Sequence, residues 1–161
     1  MRQSLVDSRL WLVNGETSLH MIKRILGIDY GKKRVGIAIT DPLGITVQPL
    51  EVLQRKSVAE DVSRINEIVM EKQVELIVVG MPSNMNGTPG SLTEEIKWYS
   101  EKLKAGTGLP VEFVEERLTT HAAERMLIDE ADMSREKRKK IRDKIAAVFI
   151  LQNYMDKLAD K

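Results

Sequence analysis

Arg24-Ile25-Leu26-Gly27-Ile28-Asp29-Tyr30, followed after Gly31-Lys32-Lys33 by Arg34-Val35-Gly36-Ile37-Ala38-Ile39-Thr40, reads as two strands of equal length joined by a short turn. Working outward, Asp41-Pro42-Leu43-Gly44 has proline and glycine in turn positions, and Ile45 to Leu53 offers a third strand. Val58, Val62, Ile65 and Val69 recur at spacings of four, three and four, which predicts an amphipathic helix. Val74 to Gly80 (VELIVVG) is a continuous apolar run bounded by Gly80 and Pro82, the pattern of a strand covered on both faces.

The segment Met81 to Gly90 is rich in turn formers. Ser91 and Glu94 have the spacing of a capping box, ahead of a helix with Leu92, Ile96, Tyr99 and Leu103 on its apolar stripe; Gly106 and Gly108 end it. Val111 to Glu115 alternates as a last strand. Thr119 or Thr120 can cap a short helix carrying Ala123, Met126 and Leu127, and a final helix runs from near Ser134 towards Leu158 with Ile141, Ile145, Val148 and Met155 on its buried stripe. Three strands, then helix, strand, helix, strand and two helices, imply an α/β domain with a mixed sheet covered by helices.

A chain of 161 residues with 42% hydrophobic content is the size of one domain with a single core. Residues 1–20 lack a sustained period and are read as an extension, either a flexible tail or an over-long start ahead of Met21; residues 21–161 form the domain. Cysteine is absent, and His20 and His121 are the two histidines, so thiolate and histidine-rich metal sites are excluded and any metal is a hard, oxygen-ligated one. No apolar run approaches the roughly 20 residues of a membrane span, and the N-terminus has no signal-peptide pattern, so a cytoplasmic location is expected. The net charge of +1 excludes a general polycation, yet Arg135 to Lys144 holds seven basic residues against two acidic ones, a candidate electrostatic footprint or a solvated helix face.

Three acids stand out. Asp29 closes an apolar strand between Gly27 and Gly31, where small neighbours leave room for a ligand; its plain alternative is a strand-end aspartate bonded to turn amides. Glu115 and Glu116 close the last strand, and because adjacent strand residues face opposite sides only one can point with Asp29; Glu116 is favoured. Asp143 shares a helix face with Ala147, Ile150 and Tyr154, although a surface pairing with Arg142 or Lys140 also suits its spacing. If these acids converge, their repulsion calls for one or two hard cations, which could activate a water and stabilise a leaving oxygen at a phosphodiester.

The strings Gly27 to Ala38 (GIDYGKKRVGIA), Val79-Gly80-Met81-Pro82 with Asn84 to Thr88 (NMNGT), Glu115 to Thr120 (EERLTT), and Asp143 ahead of Ala146-Ala147 and Ile150-Leu151 resemble the bacterial YqgF/RuvX family. The four blocks occur in the family's order and span nearly everything from Met21 to Asp156. The resemblance implies an RNase H-like fold with a five-stranded sheet of order 3-2-1-4-5, and Asp29, Glu116 and Asp143 as active-site acids and metal ligands for Mg2+ or Mn2+. It further implies a nuclease that processes the 5′ end of precursor 16S ribosomal RNA, with resolution of branched DNA (a Holliday junction) as the alternative. Ser83, Asn86 and Glu115 depart from the family's usual leucine and aspartates, which bears on substrate contacts more than on chemistry.

Nucleic acid is thus the expected partner. Lys32, Lys33 and Arg34 at the hairpin, Asn84 and Asn86 in the loop, Arg117 beside the acids, and Lys137, Lys139 and Lys140 on the final helix are its candidate contacts. Two other readings compete. A sugar-kinase or actin-like ATPase needs two such domains, which this length forbids, and no Walker glycine loop is present. A non-catalytic binding module would lack one of the acids, and all three are there.

Overall fold

The computed structural model describes residues 5–7, 10–13, 16–18, 24–82, 90–115 and 134–160. Its main sheet has five strands: β1 (Arg24–Tyr30), β2 (Arg34–Thr40), β3 (Val47–Gln54), β4 (Val74–Met81) and β5 (Val111–Glu115). Among the described residues three helices accompany it, α1 (Val58–Lys72), α2 (Ser91–Thr107) and α3 (Arg135–Ala159). The sheet runs β3-β2-β1-β4-β5, which is the expected order 3-2-1-4-5. The first three strands are antiparallel neighbours, and β4 and β5 run parallel to β1. Leu5–Asp7, Leu10–Val13 and Glu16–Ser18 are three short strands that pair antiparallel in a small sheet of their own, where the sequence had suggested an unpatterned extension.

Alternation along the central strands divides the core in two. Leu26, Ile28, Val35, Ile37, Ile39, Ile77 and Val79 pack with Ile65, Ile68 and Val69 of α1 and with Ile96, Tyr99 and Leu103 of α2. Ile25, Ala38, Val78 and Val114 point to the other face and meet Ala147, Ile150 and Leu151 of α3. The result is a three-layer α/β/α arrangement in which β1, β2 and β4 are covered on both sides, as their continuous apolar runs require.

Local chemistry explains the boundaries. Ser57 caps α1 by accepting a hydrogen bond from the Glu60 amide, and Ser134 caps α3 through the Lys137 amide. The capping box expected at Ser91 does not form. Gly90 is the cap, without a side-chain bond, and Ser91 is already the first helical residue. Gly108, at φ 72°, ends α2, whereas Gly106 lies inside the helix, where a side chain would run into Val62 of α1. On α3 the fully buried stripe is Ala147, Ile150 and Leu151; Ile141, Ile145, Val148 and Met155 flank it half-buried, so the sheet-facing side is the one that carries Asp143. The short helix expected after Thr119 or Thr120 lies outside the described residues.

Candidate active site

Two glycines bring α3 onto the sheet. A Cβ on Gly27 would stand 2.7 Å from Leu151 Cβ and 3.2 Å from the Ala147 carbonyl oxygen, and a Cβ on Gly36 would collide with the carbonyl oxygen of Asp143. Gly36 is the cross-strand partner of Asp29 in the β1–β2 hairpin. Directly opposed residues of an antiparallel pair share a face. Asp29 therefore projects on the α3 side, one strand away from the point where Asp143 crosses β2. Residues 114 apart in sequence are brought together by a contact that only glycine permits.

Asp143 is half-buried, and its Oδ2 lies 2.8 Å from Arg34 Nε. That oxygen is shielded from solvent yet accepts no hydrogen bond, because the Arg34 N–H is not aimed along it. The pair is thus held by Coulomb attraction at short range. Arg34, expected among the nucleic-acid contacts, is the counter-charge of this acid.

Lys32 and Lys33 are exposed on the turn between β1 and β2, with Lys32 Nζ 3.8 Å from Glu95 Oε1 across to α2. The turn is tightly held. A Cβ on Gly31 would approach the Arg34 carbonyl oxygen to 2.5 Å. From the end of β3, the Arg55 amide donates to the Lys33 carbonyl and Arg55 Nη1 donates to the Gly31 carbonyl at 3.1 Å. Arg55 itself is paired at 2.7 Å with Asp61, which is 3% exposed, and stacks over the rings of Tyr30 and Tyr99. This cluster fixes the backbone that follows Asp29. Nothing in local spacing announces it, since it draws on β1, β3, α1 and α2 at once.

At the far side of the sheet, Val114 packs in the α3 cluster and Glu112 accepts a hydrogen bond from the Tyr154 hydroxyl of α3. Glu115, one residue on, pairs with Met81, which packs in the α1/α2 cluster. Glu115 therefore faces away from Asp29. Glu116, Arg117, Asn84 and Asn86 lie outside the described residues. Lys137, Lys139 and Lys140 are exposed on the first turns of α3. A larger recess of about 540 Å³ between α1 and α2, lined by Val62, Asn66, Trp98 and Lys102 among others, opens on the opposite face from the acids.

Among the described residues no three acidic or histidine side chains gather into a metal cage. The described half of the site does fit a hard cation. Its donors are carboxylate oxygens, the type a hard cation takes, and the one on Asp143 is paired with the Arg34 guanidinium, which a cation would have to displace or share.

The sheet order and its flanking helices are those of the RNase H-like fold, and the chain's relatives place it in the class of nucleases that hydrolyse phosphodiester bonds. The model of the family described as "RuvX: Holliday junction resolvase" matches residues 23–157. The chain belongs to that family. A protein of Endomicrobium trichonymphae is 50% identical over 140 residues, 87% of this chain and 100% of its own length. One of Desulforamulus reducens is 52% identical over 133 residues, 83% of this chain and 96% of its own. Both carry the name "Putative pre-16S rRNA nuclease". The fold is also that of Thermus thermophilus RuvC, solved with a Holliday junction substrate, at a TM-score of 0.51 and 16% identity over 82% of this chain and 94% of that one.

Proposed function

We propose that this protein is a cytoplasmic metal-dependent endonuclease that processes the 5′ end of precursor 16S ribosomal RNA, with Asp29, Glu116 and Asp143 as its metal-holding acids. The observation that carries the reading is that Asp29 stands opposite Gly36 in the hairpin while the main chain of Asp143 packs on that same glycine, which supports both acids sharing the α3 face of the sheet. Strand alternation supports Glu116 over Glu115 as the third acid, because Glu115 belongs to the opposite face. Bound Mg2+ or Mn2+ would supply Lewis acidity for activating water and stabilising the leaving oxygen.

The residues of the chain do the rest. Asp29, fixed by the Arg55-anchored turn, and Asp143, fixed by main-chain packing on Gly36, offer hard oxygen donors in a preset geometry. Arg34 balances Asp143 and limits the repulsion between the acids. Lys32, Lys33, Lys137, Lys139 and Lys140, together with Asn84, Asn86 and Arg117, would hold backbone phosphates without reading sequence. The names of the relatives favour the ribosomal RNA precursor; the family description keeps a four-way DNA junction as the second substrate to test.

The test is incubation of wild type and Asp29→Asn with precursor 16S RNA and with a four-way DNA junction, in Mg2+ or Mn2+. Wild type is expected to cut the RNA, and Asp29→Asn to bind it without cutting. Cleavage retained by Asp29→Asn removes that residue from the mechanism. Cleavage confined to the junction replaces RNA processing with resolution.

A further inference from the structure

Arg135, Arg138, Lys139 and Arg142 line a recess of about 330 Å³ at the start of α3. Their spacings of three and four residues stack four cations along one flank, an arrangement of like charges that disfavours a helix. Arg135 and Arg138 also sit in the first turn, where the helix dipole opposes positive charge. Four cations lining one recess attract an anion. Guanidinium groups offer paired donors matched to phosphate oxygens.

The direction in which this flank faces follows from the helix geometry. Arg142 and Asn153 are eleven residues apart, three turns and therefore within about 20° of each other around the axis. Asn153 Nδ2 donates at 2.9 Å to the carbonyl oxygen of Glu115, at the carboxyl end of β5. The arginine row is thus on the side of α3 that looks towards the ends of β1, β4 and β5, where the acids belong. Arg142 and Lys144 stand about 100° to either side of Asp143. Lys137, Lys140 and Lys144 accordingly form a separate row on the opposite flank, and Lys139 alone of the three lysines named from sequence joins the arginines.

We infer that the recess of Arg135, Arg138, Lys139 and Arg142 is a clamp for backbone phosphate of the substrate strand on the cleft side of Asp143, and that this row contributes more to strand binding than the lysine row. The inference deepens the proposed function and rests on it. Binding rather than cleavage is the readout, so the two can fail separately.

The full chain is titrated, in chelator without metal, against a short labelled RNA duplex prepared with and without a 5′ phosphate, over a series of salt concentrations. One variant combines Arg135→Ala, Arg138→Ala and Arg142→Ala; the control combines Lys137→Ala, Lys140→Ala and Lys144→Ala. Alanine favours helix, so both variants should keep α3, which circular dichroism checks. The arginine variant is expected to lose about 10-fold or more in affinity at low salt, with the slope of log K against log salt shallower by about 2, since each phosphate no longer neutralised removes roughly 0.9 from it. The lysine variant should lose clearly less. A third variant with the three arginines changed to lysine should keep the salt slope but bind several-fold more weakly, because lysine has no paired donors. An unchanged slope in the arginine variant, or equal losses in the two alanine variants, overturns the inference while leaving the nuclease reading in place. A requirement for the 5′ phosphate overturns the assignment to internal phosphodiesters. A wild type that binds no duplex overturns the clamp and leaves the proposed function to its own cleavage test.

Discussion

Asp61 and Tyr99 show how a single group far from the acids can shape the molecule. Tyr99 is fully buried, and its hydroxyl makes no hydrogen bond of acceptable geometry. Burial, with the negative charge of Asp61 behind it, pushes the phenol well above the ordinary tyrosine range. A group whose folded pKa is raised contributes stability that is complete below the unfolded pKa of about 10 and declines as pH rises past it. Tyr99→Phe should therefore leave stability at neutral pH unchanged or improve it by about 1 kcal/mol, and its denaturation midpoint should fall less steeply than wild type above about pH 10. Urea melts across pH 7 to 11 check this; a loss greater than about 2 kcal/mol at pH 7 would mean that the hydroxyl has a strong partner. The residue scale is also where sequence reading was weakest. Asp29 could be singled out as a candidate because an acid between glycines at the end of an apolar strand is unusual, but the partner of Asp143 was not legible, since Arg34 meets it only through the crossing of a strand and a helix. Glu116, Asn84, Asn86 and Arg117 remain candidates on sequence and resemblance alone.

At the scale of elements, the hairpin and α3 form one unit whose fit depends on Gly36. Alanine there should drive its methyl against the Asp143 carbonyl and lift the helix from β2. The expected cost is about 1–3 kcal/mol of stability, the usual range for overpacking, with weaker Mg2+ binding measured by calorimetry on the folded fraction. Full stability in Gly36→Ala would show that α3 can yield without loss. Strands β1, β2 and β4 could be read from sequence because both faces are buried and their apolar runs are unbroken. Helix α3 was placed within a residue of its start because Ser134 is a real cap. Its buried stripe was harder to place, since Ile141, Ile145 and Val148 are as apolar as the residues that face the sheet, and small Ala147 wins the central position by fitting over Gly36. Ser91 misled for a related reason: the capping-box spacing was present, but Gly90 already had the extended backbone of a cap at φ −75° and ψ 165°.

At the scale of the whole molecule, the five-stranded sheet and its helices match the span of the family, residues 23–157, while the three short strands before it pair among themselves. Removing residues 1–20 should shift the Tm by less than about 2 °C, an effect below roughly 0.5 kcal/mol for a domain of this size, and leave cleavage intact. A larger drop in a thermal melt would show that the small sheet braces the large one. The general class was legible from the order of elements, and the family from four blocks of residues; the small sheet was not, because strands of three or four residues are too short to display a period.

The contact between Gly36 and the Asp143 carbonyl joins main chain to main chain. A spacing set in this way does not depend on rotamers, so the two backbones part only when α3 itself lifts from β2. On the proposed function, the distance between the backbones of the two acids should consequently survive to the edge of the unfolding transition, with cleavage rate climbing until α3 gives way rather than fading some degrees below.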